Sequence, residues 1–166
     1  MTLLLAAVGA TGAALFELTV GPYIGIDGVQ PHFVLVLGIV LTIAVGLEAG
    51  IVWAFVGGLI LDVLTQRPLG SSSFALLLCV GGASVLGRLL ASIRPIAPVI
   101  AVPVLSLLYS MVLFVTFGAL GVSLPVSAPV QIVAPSVLYD TVLAVLIGPL
   151  AVSIHDHRAL KERVDW

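Results

Sequence analysis

The chain has 166 residues, of which 61% are hydrophobic and 8% are charged, and its mean hydropathy is +1.31. A soluble domain carries roughly 25% charged residues, so this composition excludes a water-soluble domain and predicts a protein whose main solvent is lipid. The formal net charge is −2 with six basic residues spread along the chain, which argues against a nucleic-acid partner.

Six apolar segments can be drawn along the chain, and a membrane-spanning helix needs about 20 apolar residues. They predict an all-α fold, a compact bundle of six transmembrane helices that forms one domain over residues 1–154. The N-terminus has no positively charged region, so it is interpreted as the first span rather than as a cleaved signal peptide. The predicted spans are about 2–20, 32–47, 49–65, 71–92, 96–120 and 131–154, followed by a polar tail at 155–166.

The division between the second and third spans is the least evident in the sequence. Residues 33–61 are broken only by Glu48, and as one helix they would be about 44 Å long, too long for one span and short for two. Gly46 and Gly50 flank Glu48, which favours two short helices with a tight reversal. One long tilted helix is the alternative.

The Lys and Arg residues predict the orientation of the chain in the membrane. In a chain with six spans, five of the six basic residues fall on the side of the N-terminus, and Arg67 alone falls on the other. We therefore expect a multi-pass membrane protein with both termini in the cytoplasm. The five residues are Arg88, Arg94, Arg158, Lys161 and Arg163.

Small residues recur at every fourth position in four of the segments, and such rows let helices approach closely inside a membrane. Three of the four rows also carry a carboxylate, which predicts that these acids face protein rather than lipid. The rows are Gly9, Ala13, Glu17 and Gly21; Gly46, Gly50, Ala54, Gly58 and Asp62; Ala75, Cys79, Ala83, Gly87 and Ala91; and Ser136, Asp140, Ala144 and Gly148.

Two hypotheses account for acids in such an apolar chain. In the first, Asp62 fixes the connection between the third and fourth spans by accepting hydrogen bonds from Arg67 or from backbone N–H groups. In the second, the acids form a proton or ion relay. The relay residues would be Glu17, Glu48, Asp62 and Asp140, although Glu48 and Asp62 are expected at opposite ends of the third span.

The sequence offers no motif for catalysis, a metal or a cofactor, and predicts that the chain is not an enzyme. His155 and His157 are one residue apart, so on a helix they would not share a face, and they are interpreted as solvated residues of the tail. His32 follows Pro31 at the start of a span and is interpreted as an interfacial polar residue. Cys79, the single cysteine, is interpreted as a buried small hydrophobe.

The stretch "GIVWAFVGGLILDVLTQRPLGSSSFALLL" resembles the signature region of the MreD family of rod shape-determining membrane proteins. That family shows a glycine-rich third span ending in Gly-x-x-x-Asp, then a short loop with Leu-Gly. The matching positions here are Gly58, Asp62, Leu69 and Gly70. Pro31 before the second span and the stretch "APSVLYDTVLAVLIGPL" are also similar to the family.

Three features depart from this resemblance. The family often has an acid where His32 stands and an Asn where Asp140 stands, so a role carried over to either position is in doubt. An aromatic residue often found in the fourth span is absent near Gly81 and Gly82.

The resemblance implies a non-enzymatic scaffold of the bacterial cell-elongation complex in the lipid bilayer. Its expected direct partner is MreC, and through the complex it would link MreB filaments with RodA and a class B penicillin-binding protein, which build side-wall peptidoglycan. An apolar groove would receive a transmembrane helix of the partner. The candidate residues for helix packing or for the partner interface are Glu17, Gly50, Ala54, Gly58, Asp62, Arg67, Leu69, Gly70 and Asp140.

The MreD family is also similar in fold to the substrate-binding subunits of energy-coupling-factor transporters. This similarity supplies an alternative function, a subunit that binds a small, vitamin-type molecule. Its pocket would be built from outward connections around Tyr23, Asp27, Arg67 and Pro125.

Overall fold

A computed structural model gives the fold of the chain and describes residues 1–25, 29–121 and 130–164, with side chains described in 1–25, 29–121 and 133–154. These residues form six α-helices and a short 3₁₀ turn at Ala91–Ile93, which confirms the all-α prediction. The helices are α1 (Thr2–Ile24), α2 (Phe33–Ala44), α3 (Leu47–Leu64), α4 (Ser71–Leu89), α5 (Ala97–Ala119) and α6 (Val130–Val164).

The second segment is much shorter than the predicted span. Helix α2 has 12 residues, so it is about 18 Å long and cannot cross a hydrocarbon core of about 30 Å. The other five helices are long and apolar enough to cross a membrane. Compared with the predicted span of about 32–47, α2 begins one residue later and ends three residues earlier.

Two separate helices, α2 and α3, replace the single long helix that the sequence left as an alternative. They are joined by a tight reversal at Val45 and Gly46, and Gly46 has φ +131°. That backbone conformation is open to glycine and strained for other residues. Gly46 therefore divides this apolar stretch into two helices.

Helix α2 lies at the centre of the bundle. It contacts all five other helices, which follow one another around it in the order α1, α3, α4, α5 and α6. Ten of its 12 residues are buried, and Val34, Val36 and Ile39 are fully so. A helix that is apolar on every side is stable only when it is surrounded by other protein.

Helix α6 extends beyond the predicted span. Its apolar part ends at Ile154, and the helix continues to Val164 through the segment predicted as a polar tail. His155 and His157 lie in this extension, and their side chains are outside the described residues.

Candidate functional site: carboxylates and a cavity at one end of the bundle

Asp62 holds the beginning of α4. Its Oδ2 accepts a hydrogen bond from the N–H of Gly70 at 2.8 Å, and its Oδ1 accepts from the N–H of Ser72 at 3.0 Å and from the hydroxyl of Ser71 at 3.1 Å. The first N–H groups of a helix have no partner within the helix, and a carboxylate also favours the positive end of the helix dipole. Asp62 therefore fixes the α3–α4 connection through backbone N–H groups, as the first hypothesis allowed.

Arg67 is not the partner of the Asp62 carboxylate. Its backbone N–H donates to the carbonyl oxygen of Asp62 at 3.0 Å, but its guanidinium lies over the ring of Phe117, 5.9 Å from the ring centroid. The exposed side chain of Arg67 thus joins the ends of α3 and α5 through a cation–π contact.

Asp140 holds the start of α2 together with His32. Its Oδ1 accepts from the backbone N–H of His32 at 2.8 Å, and its Oδ2 lies 3.0 Å from His32 Nδ1. The hydroxyl of Ser106 on α5 also donates to Oδ2. Asp140 is fully buried, whereas the side chain of His32 is 26% exposed. The pairing of His32 with Asp140 was not predicted from the sequence, which interpreted His32 as an interfacial polar residue.

Glu17 holds the same helix start from the other side. Its Oε2 accepts a hydrogen bond from the N–H of Val34 at 2.8 Å. Helix α2 therefore begins between two carboxylates, one from α1 and one from α6. Since α2 is too short to cross the membrane, its first N–H groups lie at a depth where water is scarce, and unpaired backbone groups there would cost several kcal/mol each.

The three buried acids do not form a relay with Glu48. Glu48 is exposed in the first turn of α3, and the 14 residues between it and Asp62 correspond to about 21 Å along the helix. Glu17, Asp62 and Asp140 each bind the start of a helix, which gives each of them a structural reason to be present. The relay hypothesis has no continuous path through these four residues.

A cavity of about 430 Å³ opens at the same end of the bundle. Its polar lining includes Glu17, His32, Arg67 and Tyr109, and the remainder is mostly apolar and aromatic. The ring of His32 lies edge-on to Tyr109 with 5.3 Å between ring centroids. A mostly apolar cavity with a few convergent polar groups is the usual form of a small-molecule site.

The small-residue rows lie at contacts between helices. Gly50, Ala54 and Gly58 are buried. A Cβ atom on Gly58 would meet the backbone N of Ser73 at 2.6 Å, and one on Gly50 would meet the hydroxyl of Thr42. These glycines let α3 approach α4 and α2 closely, so the row is used inside the chain and is not available as an exposed surface.

The two other candidates in the α3–α4 connection have different environments. Gly70 has φ +91°, which favours glycine, and places its N–H on Asp62. Leu69 is 74% exposed. Of the residues proposed for a vitamin-type pocket, Arg67 lines the cavity whereas Tyr23 is 90% exposed; Asp27 and Pro125 lie outside the described residues.

Three residues of this region were not singled out in the sequence. Ser106 donates to Asp140, Tyr109 lines the cavity, and Trp53 donates from Nε1 to the carbonyl oxygen of Val34 at 2.9 Å. Ser106 and Tyr109 are polar groups within an apolar span, which was the available signal. Trp53 carried no such signal, because a tryptophan is an ordinary residue in an apolar segment.

The described part of the chain contains no group of three or more His, Cys, Asp or Glu residues that could hold a metal ion.

Helices that cross the membrane several times, with acids used to bind helix starts, define a polytopic α-helical membrane protein. A sequence model of the family described as rod shape-determining protein MreD matches residues 2–154. The chain therefore belongs to the MreD family, and its role is in the determination of rod shape. No curated protein and no solved structure matches it.

Proposed function

We propose that the chain is a non-enzymatic scaffold of the bacterial cell-elongation complex that binds MreC directly. Through MreC it would help to position RodA and a class B penicillin-binding protein relative to MreB, and so regulate side-wall peptidoglycan synthesis. The observation that carries the proposal is the family match over residues 2–154. It is supported by the buried acids, which in the described structure are occupied with helix starts rather than with a reaction.

The surface that best suits a transmembrane helix of MreC is an apolar groove between α5 and α6. The described residues that line the groove are all apolar, and Ala134 on α6 leaves it open because its side chain is small and exposed. Helices associate in lipid mainly through close packing, so a groove beside a small residue is a suitable place for a partner helix. Its lining is Pro103, Leu107, Met111, Val133, Ala134, Val137 and Leu138.

The groove can be tested by filling it. Ala134→Trp should reduce the amount of MreC that co-purifies in detergent by about tenfold, because the indole would occupy space needed by the partner. The matched control is Leu150→Trp, an exposed position on α6 outside this groove. Equal recovery of MreC with both variants would contradict the groove as the binding surface.

The buried row on α3 would act on the partner indirectly, through the shape of the bundle. Gly58→Leu should weaken the MreC complex because its side chain would push α4 away from α3, whereas Gly81→Leu should not, since the space around Gly81 is open. Asp62→Ala should weaken the complex in the same way by releasing the α3–α4 connection. If the Gly58→Leu and Asp62→Ala proteins fold and bind MreC as well as the unmodified protein does, the row on α3 has no role in MreC binding.

We also propose that the chain lies in the bacterial cytoplasmic membrane with both termini in the cytoplasm. The distribution of Lys and Arg supports this orientation. The vitamin-type subunit remains an alternative prediction; of the two described residues of its pocket, Arg67 lines the observed cavity and Tyr23 does not.

A further inference from the structure

Glu17 differs from the other two buried acids in how few donors it has. Asp62 and Asp140 each accept at least three hydrogen bonds. Within the described part of the chain, Glu17 accepts one, from Val34 N–H to Oε2, although its residue is only 8% exposed. Its second oxygen, Oε1, is left without a donor from these residues.

The small exposed part of Glu17 belongs to the wall of the cavity. Glu17 lies seven residues before the end of α1 at Ile24, which places it about 10 Å below that end of the helix. A carboxylate at such a depth is unfavourable unless it is paired. The cavity is therefore where a group with N–H donors, and preferably a positive charge, would reach Glu17.

The opposite charge is at the mouth of the same cavity. Arg67 follows the end of α3, and its guanidinium lies over Phe117 near the end of α5. Guanidinium groups bind phosphate through pairs of hydrogen bonds. The same cavity is also lined by apolar and aromatic residues, among them Leu113 and Phe114, and by the polar side chains of Gln30, Thr65, Ser110 and Ser136.

We propose that this cavity binds a phosphoethanolamine group, with the primary ammonium donating to Glu17 Oε1 and the phosphate accepting from Arg67. An ammonium with N–H donors fits Glu17, and a phosphate fits a cation at the level where the membrane-spanning helices end. The group is available as the headgroup of phosphatidylethanolamine or as a soluble compound. This ligand site goes beyond scaffolding and does not depend on MreC.

The test compares headgroups on the purified full-length protein in detergent. Dioleoyl phosphatidylethanolamine should raise Tm by at least about 4 °C more than dioleoyl phosphatidylcholine or phosphatidylglycerol at the same concentration. Phosphatidylcholine has no N–H donor and phosphatidylglycerol has no ammonium, so an equal rise with all three lipids would overturn the proposal. Soluble phosphoethanolamine is the second arm: a rise with it alone would support the same site with a soluble ligand.

Variants assign the effect to the two charged residues. Glu17→Gln retains an oxygen for the Val34 N–H but loses the charge, and should abolish the preference for phosphatidylethanolamine; Arg67→Gln should reduce it. Glu48→Gln, an exposed acid at the other end of α3, is the control and should retain it. A preference that persists in Glu17→Gln would overturn the site. If Glu17→Gln does not fold, the site is tested by comparing the three lipids on the unmodified protein and on Arg67→Gln. An equal preference for phosphatidylethanolamine in these two proteins would then overturn the site.

Discussion

At the scale of single residues, the acids of this chain are explained by the backbone. Each of Glu17, Asp62 and Asp140 accepts a main-chain N–H at the start of a helix. Hydrogen bonds to a charged acceptor are stronger than those between neutral groups, and the positive end of a helix adds to them. A carboxylate within a membrane segment is therefore not by itself a sign of transport.

Asp62→Asn should destabilise the protein by about 1–3 kcal/mol, because one of its two oxygens becomes an NH₂ group facing N–H donors. The measurement is thermal or denaturant unfolding of the purified protein in detergent. Glu48→Gln, which removes an exposed acid, should change stability by less than about 0.5 kcal/mol. Equal stability of the two variants would show that the bonds to Gly70 and Ser72 contribute little.

The pair of His32 and Asp140 should make stability depend on pH. His32 lies in the α1–α2 connection; burial disfavours its charged form, but the Asp140 carboxylate outweighs this and raises the pKa of His32 above its usual value of 6.5. A raised pKa stabilises the folded state below the pKa of the unfolded chain, and this contribution is lost as pH rises through the folded-state pKa.

His32→Gln should therefore be least stable relative to the unmodified protein near pH 6, with a stability difference that narrows as the pH rises through the folded-state pKa of His32. Unfolding curves of both proteins across this range provide the measurement. A difference that is constant with pH would mean that the imidazole contributes only through its neutral hydrogen bond to Asp140.

The residue-level predictions succeeded where the partners are close in sequence. Asp62 bonds to groups 8–10 residues away, so a role in the adjacent connection was readable from the sequence. His32 and Asp140 are 108 residues apart, and no periodicity links them. His32 and Asp140, two of the positions that depart from the family resemblance, are in direct contact.

At the scale of elements, the half-length α2 is the feature that hydropathy could not predict. Its residues are as apolar as those of a span, and only the positions of Pro31 and Gly46 limit it to 12 residues. The close contacts of α3 with α2 and α1 involve Trp53, whose ring lies against Gly38 on α2 and Gly9 on α1. Small residues were predicted to permit close packing, but which bulky side chain fills the space depends on the tertiary arrangement.

Gly38→Ala should destabilise the bundle by about 1–3 kcal/mol, because packing extra atoms into a filled core forces neighbouring groups to move. The new Cβ would lie 2.9 Å from Cδ1 of Trp53, a rigid ring held by its bond to Val34. Gly12→Ala is the matched control, since nothing lies within 4 Å of a Cβ there; it should be neutral or slightly stabilising. The measurement is Tm in detergent, and similar values for both variants would contradict the packing role of Trp53.

At the scale of the whole molecule, five helices surround a short central one, and the connections α1–α2, α3–α4 and α5–α6 fall at one end. That arrangement brings Glu17, Asp62 and Asp140 to the same end of the bundle, together with the cavity. In the proposed orientation, with both termini in the cytoplasm, this end lies on the outer side of the membrane.

Cysteine labelling in intact cells should establish this orientation. Leu69→Cys, in the α3–α4 connection, should react with a membrane-impermeant maleimide from outside, whereas Ser92→Cys, in the α4–α5 connection, should react only after permeabilisation. Both positions are exposed, and the native Cys79 is buried and serves as the unreactive background. If Ser92→Cys, and not Leu69→Cys, were labelled in intact cells, the orientation would be the opposite of the one proposed.

The short central helix also has a consequence for biosynthesis. A segment of 12 residues cannot enter the bilayer as an independent span, and one acceptor for its first N–H groups, Asp140, is on α6, which is synthesised after the other five helices. Helix α2 therefore cannot gain this acceptor until α6 has been made. A nascent chain interrupted before α6 should leave this segment accessible to proteases and chaperones.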